Sequence, residues 1–161
     1  MIDAGQTPNR RVGFISDTHG LLRQQVLTVF AGCELILHAG DIGEISVLDR
    51  LSEIAPVCAV RGNVDRDGAT RSIPLTEVVA FAGHTFYMLH NLDDLDLDPA
   101  AAGFSAVVYG HSHQPTISKC DGVLYFNPGS AGPKRFSLPI SVGIIEIGEA
   151  GLEPSLVPIS A

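Results

Sequence analysis

The sequence has no apolar run that approaches the ~18 residues needed by a membrane-spanning helix. Residues 1–10 are polar and lack the apolar core of a secretory signal peptide. The three cysteines, Cys33, Cys58 and Cys120, are scattered and form no C-x-x-C pair, so the pattern indicates reduced thiols rather than a disulfide framework. We therefore expect a cytoplasmic protein that has no membrane partner.

Basic residues are scarce relative to acidic ones. Lys and Arg number 10 against 18 Asp and Glu, which gives a formal net charge of −8. Sequence-independent binding of a nucleic-acid duplex depends on Lys and Arg contacts to phosphate, so no such binding is expected. The balance does not exclude a small phosphate ester held by metal ions. The length of 161 residues favours a single domain over 1–161, with residues 1–10 as a loose leader.

Apolar strands and amphipathic helices alternate over the first third of the chain. The pattern predicts strands at 11–16, 34–37 and 56–60, and helices at 21–30 and 44–54. Short connections and nearly continuous apolar strands favour a parallel sheet covered on both faces. Ligands of such sheets bind outside the carboxyl ends of the strands.

The rest of the chain has the spacing of hairpins and short strands. Asp121-Gly122 is the clearest hairpin turn. The predicted strands are 73–81, 85–90, 104–109, 116–120, 123–126 and 140–147, with an edge strand at 156–159 and a loop with a short helix over 91–102.

Two histidines, His111 and His113, follow the predicted strand 104–109. Residues i and i+2 of an extended segment point the same way, so both imidazoles are expected to face one point. Other polar residues also follow predicted strands, and the full set is Asp17, His19, Asp41, Asn63, His90, His111 and His113. Two carboxylates, one amide and four imidazoles suit two divalent ions. Such a pair of ions makes a bound water acidic and clamps a phosphoryl group.

The motifs that carry these residues resemble those of the calcineurin-like metallophosphoesterases. In chain order they are Asp17-Thr18-His19-Gly20, Gly40-Asp41, Gly62-Asn63-Val64-Asp65, His90, Gly110-His111-Ser112-His113 and Asn127-Pro128-Gly129-Ser130. The resemblance spans residues 11–147. Within the superfamily, the motifs most resemble those of the small single-domain phosphodiesterases of bacteria and archaea. It implies an α/β fold, a four-layer α/β/β/α sandwich of two mixed β-sheets flanked by helices.

The resemblance also implies a role for each member of the set. One metal ion would be held by Asp17, His19 and His113. The other would be held by Asn63, His90 and His111, with Asp41 bridging the two. Asn63 would also touch the substrate phosphate, and Arg135 is a second candidate for phosphate contact.

Two positions depart from the family pattern. Many members carry histidine where this chain has Val64, and that histidine is a candidate to protonate the leaving group. Here the proton would come from His19, Asp65 or water, which favours leaving groups that depart readily. The small phosphodiesterases often read His-Gly-His where this chain has His90-Asn91.

The remaining histidines stand apart from the set: we expect a structural or rim role for His38 and a surface position for His84.

The sequence thus predicts a metal-dependent phosphoesterase, and most simply a phosphodiesterase that uses a water or hydroxide bridging two divalent ions. Manganese is the expected metal, with iron, zinc and nickel open. The alternatives are a phosphomonoesterase of the same fold and a non-catalytic scaffold like the related retromer subunit. Degraded ligands would favour the scaffold, but all seven are intact. A homo-oligomer stays open, because the apolar strands 140–147 and 156–159 suit a core or an interface.

Overall fold

Two five-stranded mixed β-sheets make up the computed structural model, which describes residues 9–160. The first sheet contains β1 (Arg10–Ile15), β2 (Leu35–His38), β3 (Val57–Ala59), β9 (Ser141–Gly148) and β10 (Gly151–Pro158). The second contains β4 (Thr76–Phe81), β5 (His84–Leu89), β6 (Ala106–Val108), β7 (Thr116–Cys120) and β8 (Val123–Asn127). Their spatial orders are β10-β9-β1-β2-β3 and β4-β5-β6-β8-β7.

Parallel pairing at the centre of each sheet aligns the strand ends that carry the predicted site. In the first sheet Ile15 is level with His38, and in the second Met88 is level with Val108. The hairpins β4–β5, β7–β8 and β9–β10 pair antiparallel. Their turns therefore lie at the opposite end of the sheets from the carboxyl ends of β1, β5 and β8.

The layers pack around three apolar clusters. Phe14, Phe86 and Phe126 lie between the sheets, and the ring centroids of Phe14 and Phe126 are 5.1 Å apart. A second cluster separates the first sheet from the helices α1 (Gln24–Val29) and α2 (Ile45–Ser52). Residues 92–104 cover the outer face of the second sheet, where the Phe104 ring stacks on Tyr87 at 5.1 Å. The predicted α/β/β/α sandwich is confirmed, and the layer over the second sheet is a loop with a 3₁₀ turn (Leu92–Asp94).

Several element bounds differ from the prediction. The predicted helix 21–30 begins only at Gln24, because Arg23 is extended and its Nη1 donates to the carbonyls of Ala131 and Gly132 at 2.8 and 2.6 Å. The predicted strand 73–81 begins at Thr76, after a 3₁₀ segment (Gly68–Ser72). These differences arise where a loop packs on a distant segment.

The ends of the chain also differ from the prediction. Of the expected leader, residues 1–8 lie outside the described residues, and Arg10 already belongs to β1. The predicted edge strand 156–159 is the last part of the longer β10. Strand β9 lies between β10 and β1 and is largely buried, so it belongs to the core. No helix within residues 9–160 is long and apolar enough to cross a membrane.

Candidate metal centre

Left-handed backbone conformations mark the loops at the carboxyl ends of the strands. Five of the seven predicted ligands have positive φ: Asp17 (55°), His19 (48°), Asp41 (54°), His111 (70°) and His113 (62°). A side chain in this region costs about 1–2 kcal/mol per residue. Such residues persist only where the surrounding structure holds them, and they are concentrated at functional sites.

The first group of potential ligands joins both sheets. His113 Nε2 lies 3.2 Å from Asp17 Oδ1, and His19 Nε2 lies 4.0 Å from the same oxygen. Asp17 follows β1 of the first sheet, whereas His113 belongs to the loop after β6 of the second. Ligand atoms of these three residues all lie within 4.8 Å of one another.

The second group shares Asp17 with the first. His90 Nε2 lies 3.3 Å from Asp41 Oδ2 and 3.8 Å from Asp17 Oδ1. Asp41 Oδ2 is also 3.7 Å from His19 Nε2. Both carboxylates therefore reach both groups, as a ligand that bridges two ions must.

The donor atoms fit divalent ions. Asp17 Oδ1, His19 Nε2 and His90 Nε2 are buried and have no hydrogen-bond partner in the described part of the chain. Such orphaned polar atoms are costly in a folded protein. Two ligand bonds of about 2.1 Å that meet at tetrahedral or octahedral angles place their donor atoms about 3.0–3.4 Å apart. Two of the measured separations, 3.2 and 3.3 Å, fall in that range.

His111 and His113 do not face one point in the way predicted. The segment is not extended, because β6 ends at Val108 and both histidines have left-handed φ. His113 joins Asp17 and His19, while the His111 ring stands almost perpendicular to His90 with centroids 5.3 Å apart. The pair thus distributes one imidazole to each side of the centre.

Neighbouring hydrogen bonds fix the orientation of the donor atoms. Asp17 Oδ2 accepts from Ser16 Oγ at 2.7 Å and from the backbone N–H of His111 at 3.1 Å, which leaves Oδ1 free. His90 Nδ1 donates to the carbonyl of Ala39 at 2.8 Å. A neutral His90 then carries its free lone pair on Nε2, the atom that faces the carboxylates.

The carboxylate of Asp65 braces the loops around the centre. Its carboxylate accepts from the backbone N–H groups of Gly62 (2.8 Å), Ile42 (3.0 Å) and Gly43 (3.0 Å), and the residue is buried. The two carboxylate oxygens are thus engaged by three backbone donors, which gives Asp65 a structural role. This arrangement disfavours Asp65 among the three predicted proton sources.

His38 has the structural role expected of it. The backbone N–H of Gly40 donates to Nδ1 at 3.1 Å, so Nε2 carries the proton and donates to Thr18 Oγ1 at 3.0 Å. Thr18 Oγ1 in turn donates to the carbonyl of Ile42 at 2.9 Å. Complete burial lowers the pKa of His38 to about 4, although Asp17 and Asp65 oppose the shift. A neutral imidazole therefore links the loops that follow β1 and β2.

The charges of the centre suit a cation. Burial raises the pKa of Asp41, but contact with His90, the backbone N–H of Val64 and nearby His19 together outweigh it and lower that pKa to about 2. Burial lowers the pKa of His19 more than the nearby carboxylates raise it, and the positive charge of Arg135 adds to the lowering. At neutral pH Asp41 is thus an anion and His19 is uncharged, as a metal ion requires. Burial lowers the pKa of His90, but contact with Asp41 and the charge of Asp17 outweigh it and raise that pKa, so a metal ion competes with a proton at His90.

The remaining predicted site residues lie at the rim. Asn63 follows β3 and lines a cleft that also contains His90. Arg135 is exposed on the loop after Gly132 and is close enough for its charge to act on His19. Val64 contributes to the site through its backbone, whose N–H donates a hydrogen bond to Asp41 Oδ1 at 3.1 Å. His84, at the start of β5, lies at the hairpin end and is half-buried rather than exposed as predicted.

Sequence reasoning placed Asn127 in a family motif without giving it a role, and it missed two arginines that border the centre. Buried Asn127 donates through Nδ2 to the carbonyl of Gly110 and to Ser112 Oγ, both at 3.1 Å, and so supports the loop with His111 and His113. A polar residue that ends the apolar strand β8 is a signal for such a role. Arg61 and Arg66 line the cleft beside Asn63, and nothing in their local sequence indicates it.

Comparison with known proteins gives a family match and curated relatives. Residues 11–150 match the model of the calcineurin-like phosphoesterase superfamily domain. The chain is 32% identical over 157 residues to a probable metallophosphoesterase of Methanocaldococcus jannaschii, covering 92% of this chain and 81% of the relative. It is 30% identical over 157 residues to phosphodiesterase YfcE of Escherichia coli K12, covering 83% of this chain and 85% of the relative.

Solved structures share the fold. A structure of an archaeal phosphodiesterase superposes with a TM-score of 0.79 at 22% identity, covering 92% of this chain and 99% of the other. Vacuolar protein sorting 29 of Cryptosporidium parvum superposes with a TM-score of 0.75 at 17% identity, covering 96% of this chain and 100% of the other. Because one fold carries both names, function has to be argued from the site.

Proposed function

Because the chain belongs to the calcineurin-like phosphoesterase superfamily, we propose that it hydrolyses phosphodiesters with the help of two divalent metal ions. One observation carries the proposal: Asp17 Oδ1, His19 Nε2 and His90 Nε2 converge in a buried site without hydrogen-bond partners among residues 9–160. Buried donor atoms that face two carboxylates are stable when a cation joins them.

The proposed ligand sets start from the two groups and take Asn63, His111 and the bridging role of Asp41 from the family resemblance. Asp17, His19 and His113 hold one ion; Asn63, His90 and His111 hold the other; Asp41 bridges them. Divalent ions in these positions would supply Lewis acidity, which lowers the pKa of a water and offsets the charge of the phosphoryl group. We propose Mn²⁺ as the working metal, because a mixed set of imidazole, amide and carboxylate ligands admits it.

Groups at the rim would orient the substrate. The Asn63 amide donates to a phosphate oxygen, and the exposed Arg135 guanidinium adds positive charge on the His19 side. Val64 has no proton to give, and the Asp65 carboxylate is occupied by three backbone donors. An uncharged His19 that ligates an ion through Nε2 has no acidic proton to give, so the leaving oxygen takes its proton from water. Esters of acidic alcohols and phenols are therefore the better substrates.

A diester is favoured over a monoester by the space beside the centre. The cleft that contains Asn63 and His90 has a volume of about 550 Å³, which accommodates a second ester arm. The relative named phosphodiesterase YfcE supports the same choice. We further propose one catalytic domain that works in the cytoplasm, where its three free cysteines stay reduced.

Hydrolysis of bis-p-nitrophenyl phosphate and p-nitrophenyl phosphate tests the proposal. Metal is stripped from the protein and each ion is added back, with Asn63→Ala and His111→Ala beside the matched control His84→Ala. Metal-dependent turnover that is lost in the first two variants and kept in the third supports the site. A higher rate on the monoester would replace the diester assignment, and folded, metal-loaded protein without turnover would favour the scaffold.

A further inference from the structure

A cleft of about 550 Å³ extends from the candidate metal centre along the second sheet. Asn63 and His90 form its inner end. Its walls mix charged and apolar groups: Arg61, Arg66, Leu75, Tyr87, Leu89, Asp94 and Asp96. The cleft is therefore larger and chemically more varied than a bare phosphate requires.

Arg61 is held in place with hydrogen-bonding capacity to spare. Its backbone N–H donates to the carbonyl of Pro74 at 2.9 Å, and Nη1 donates to the carbonyl of Arg71 at 3.2 Å. Its Nε is buried and has no acceptor within the described residues. A guanidinium has five N–H donors in a rigid fork, and an anionic oxygen is the acceptor that uses them best.

Arg66 adds a second cation at the rim of the cleft. Its Nε donates to the carbonyl of Asn63 at 2.8 Å, which ties it to the peptide of a proposed metal ligand. Neither Arg61 nor Arg66 forms a salt bridge with any residue in 9–160, although Asp94 and Asp96 line the same cleft. Two guanidinium groups without a carboxylate partner among residues 9–160 thus line one cleft.

The rest of the wall suits an apolar body. Leu75 is 60% exposed, and Leu89 and Tyr87 lie beneath it in the cleft lining. The Tyr87 ring is fixed by its stack on Phe104. An arm with an aromatic or aliphatic portion would cover this apolar surface.

We propose that the cleft binds the second ester arm of the substrate, and that Arg61 and Arg66 select an arm with a further anionic group on an apolar body. The proposal rests on the proposed phosphodiesterase function. The site thus distinguishes diesters by the charge of the group that stays on phosphorus. If the carboxylates of Asp94 and Asp96 dominated the cleft instead, it would favour a cationic arm.

Three p-nitrophenyl diesters with matched arms test the selection: phenyl, 4-carboxyphenyl and 4-(trimethylammonio)phenyl. We expect kcat/KM for the carboxylate arm to exceed that for the neutral arm about tenfold. Arg61→Gln and Arg66→Gln should each reduce this ratio toward one. Arg71→Gln, which removes an equal charge from a residue outside the cleft lining, should keep it. A flat charge dependence, or a preference for the cationic arm, would overturn the inference and leave the phosphodiesterase proposal intact.

A binding measurement separates the two proposals. Metal-free protein is titrated with phenyl phosphate and, separately, with phenyltrimethylammonium, while NMR follows the Nε–H resonances of Arg61 and Arg66. Saturable shifts with the anion alone support the anion site, even if no ester is hydrolysed. If neither resonance moves with the anion, the site is absent, whatever the turnover.

Discussion

Left-handed backbone occurs at both ends of the sheets, in open space at one end and in crowded surroundings at the other. The hairpin end carries the turns between paired strands, and the metal end carries the candidate metal centre. At the hairpin end, Ala82 and Asp121 both have φ of 52°, and each precedes a glycine in a two-residue turn. An added Cβ on Gly83 or Gly122 would meet nothing within 4 Å. These turns follow from local chemistry, because two-residue hairpin loops require positive φ.

At the metal end the same conformation is imposed by distant parts of the chain. A Cβ on Gly43, at φ of 88°, would collide with the backbone of His19 and Gly20, and one on Gly40, at φ of 104°, would collide with the His90 ring. Ser130 Oγ donates to the carbonyl of Asp17 at 3.1 Å from a remote segment. Left-handed backbone in open space therefore marks a turn, whereas left-handed backbone in crowded surroundings marks a candidate functional site.

The sharpest test of this comparison removes one carboxylate charge at each end. Asp17 and Asp121 have nearly equal φ, 55° and 52°. Asp17→Asn should reduce metal-dependent turnover at least about 100-fold and abolish the stabilisation by added metal, about 2.7 kcal/mol at 100 times Kd for wild type. Asp121→Asn should change neither. Activity assays and thermal melts with and without metal measure both effects, and equal losses in the two variants would contradict the distinction.

The second largest effect is expected from adding a methyl group at each end of the sheets. In Gly110→Ala the new Cβ would overlap Ser16 Oγ and lie 2.7 Å from Asp17 Oδ2. We expect a loss of stability of about 1–3 kcal/mol and, because a ligand is displaced, a loss of activity near 100-fold. Gly122→Ala, at φ of 80°, should cost a similar 1–2 kcal/mol without loss of activity. Urea denaturation and kcat/KM separate the two; unchanged activity in Gly110→Ala would show that the crowding is not functional.

Acid sensitivity should also belong to the metal end. The pKa of His38 is about 4 when folded and ordinarily 6.5, so the unfolded chain binds the proton more readily. This contribution is complete above pH 6.5 and is lost as the pH falls toward 4, by about 3 kcal/mol. His38→Asn, which keeps an acceptor near the N–H of Gly40, should flatten the fall in stability of metal-free protein over that window. Identical slopes in wild type and variant would show that His38 is not the group responsible.

The smallest expected effect is a gain of stability at the hairpin end. Ala82 holds a left-handed conformation that asparagine adopts more readily, and Asn-Gly is a favoured two-residue turn. Ala82→Asn should raise the free energy of unfolding by about 0.5–1 kcal/mol and leave turnover unchanged. Chemical denaturation checks the first point, and a decrease in stability would mean that the turn is not governed by local preference.

The same division explains what could be predicted from the sequence. Apolar periodicity located the strand ends that carry Asp17 and Asp41, and turn chemistry located Asp121-Gly122. The sandwich followed from the family resemblance and is confirmed. The start of α1 was misplaced because Arg23 bonds to residues more than one hundred positions away. No short-range pattern could reveal that contact.

Side-chain roles were harder to predict where tertiary contacts decide them. Asp65 has the sequence context of a reactive carboxylate, yet three backbone donors convert it into a brace. The histidines at 111 and 113 diverge because the chain leaves the extended conformation after Val108. Arg61 and Arg66 acquire their setting from the second sheet and from loops that pack on it.

The position of Asp17 and His113 has a mechanical consequence. They lie on different sheets and far apart in the sequence, yet Asp17 Oδ1 and His113 Nε2 are 3.2 Å apart. An ion held between them would cross-link the sandwich and close a long loop of chain, which restricts the unfolded ensemble as a disulfide does. All three cysteines of this protein are free. A bound metal ion would thus be a reversible long-range cross-link in this protein. Its removal would weaken the packing between the two sheets.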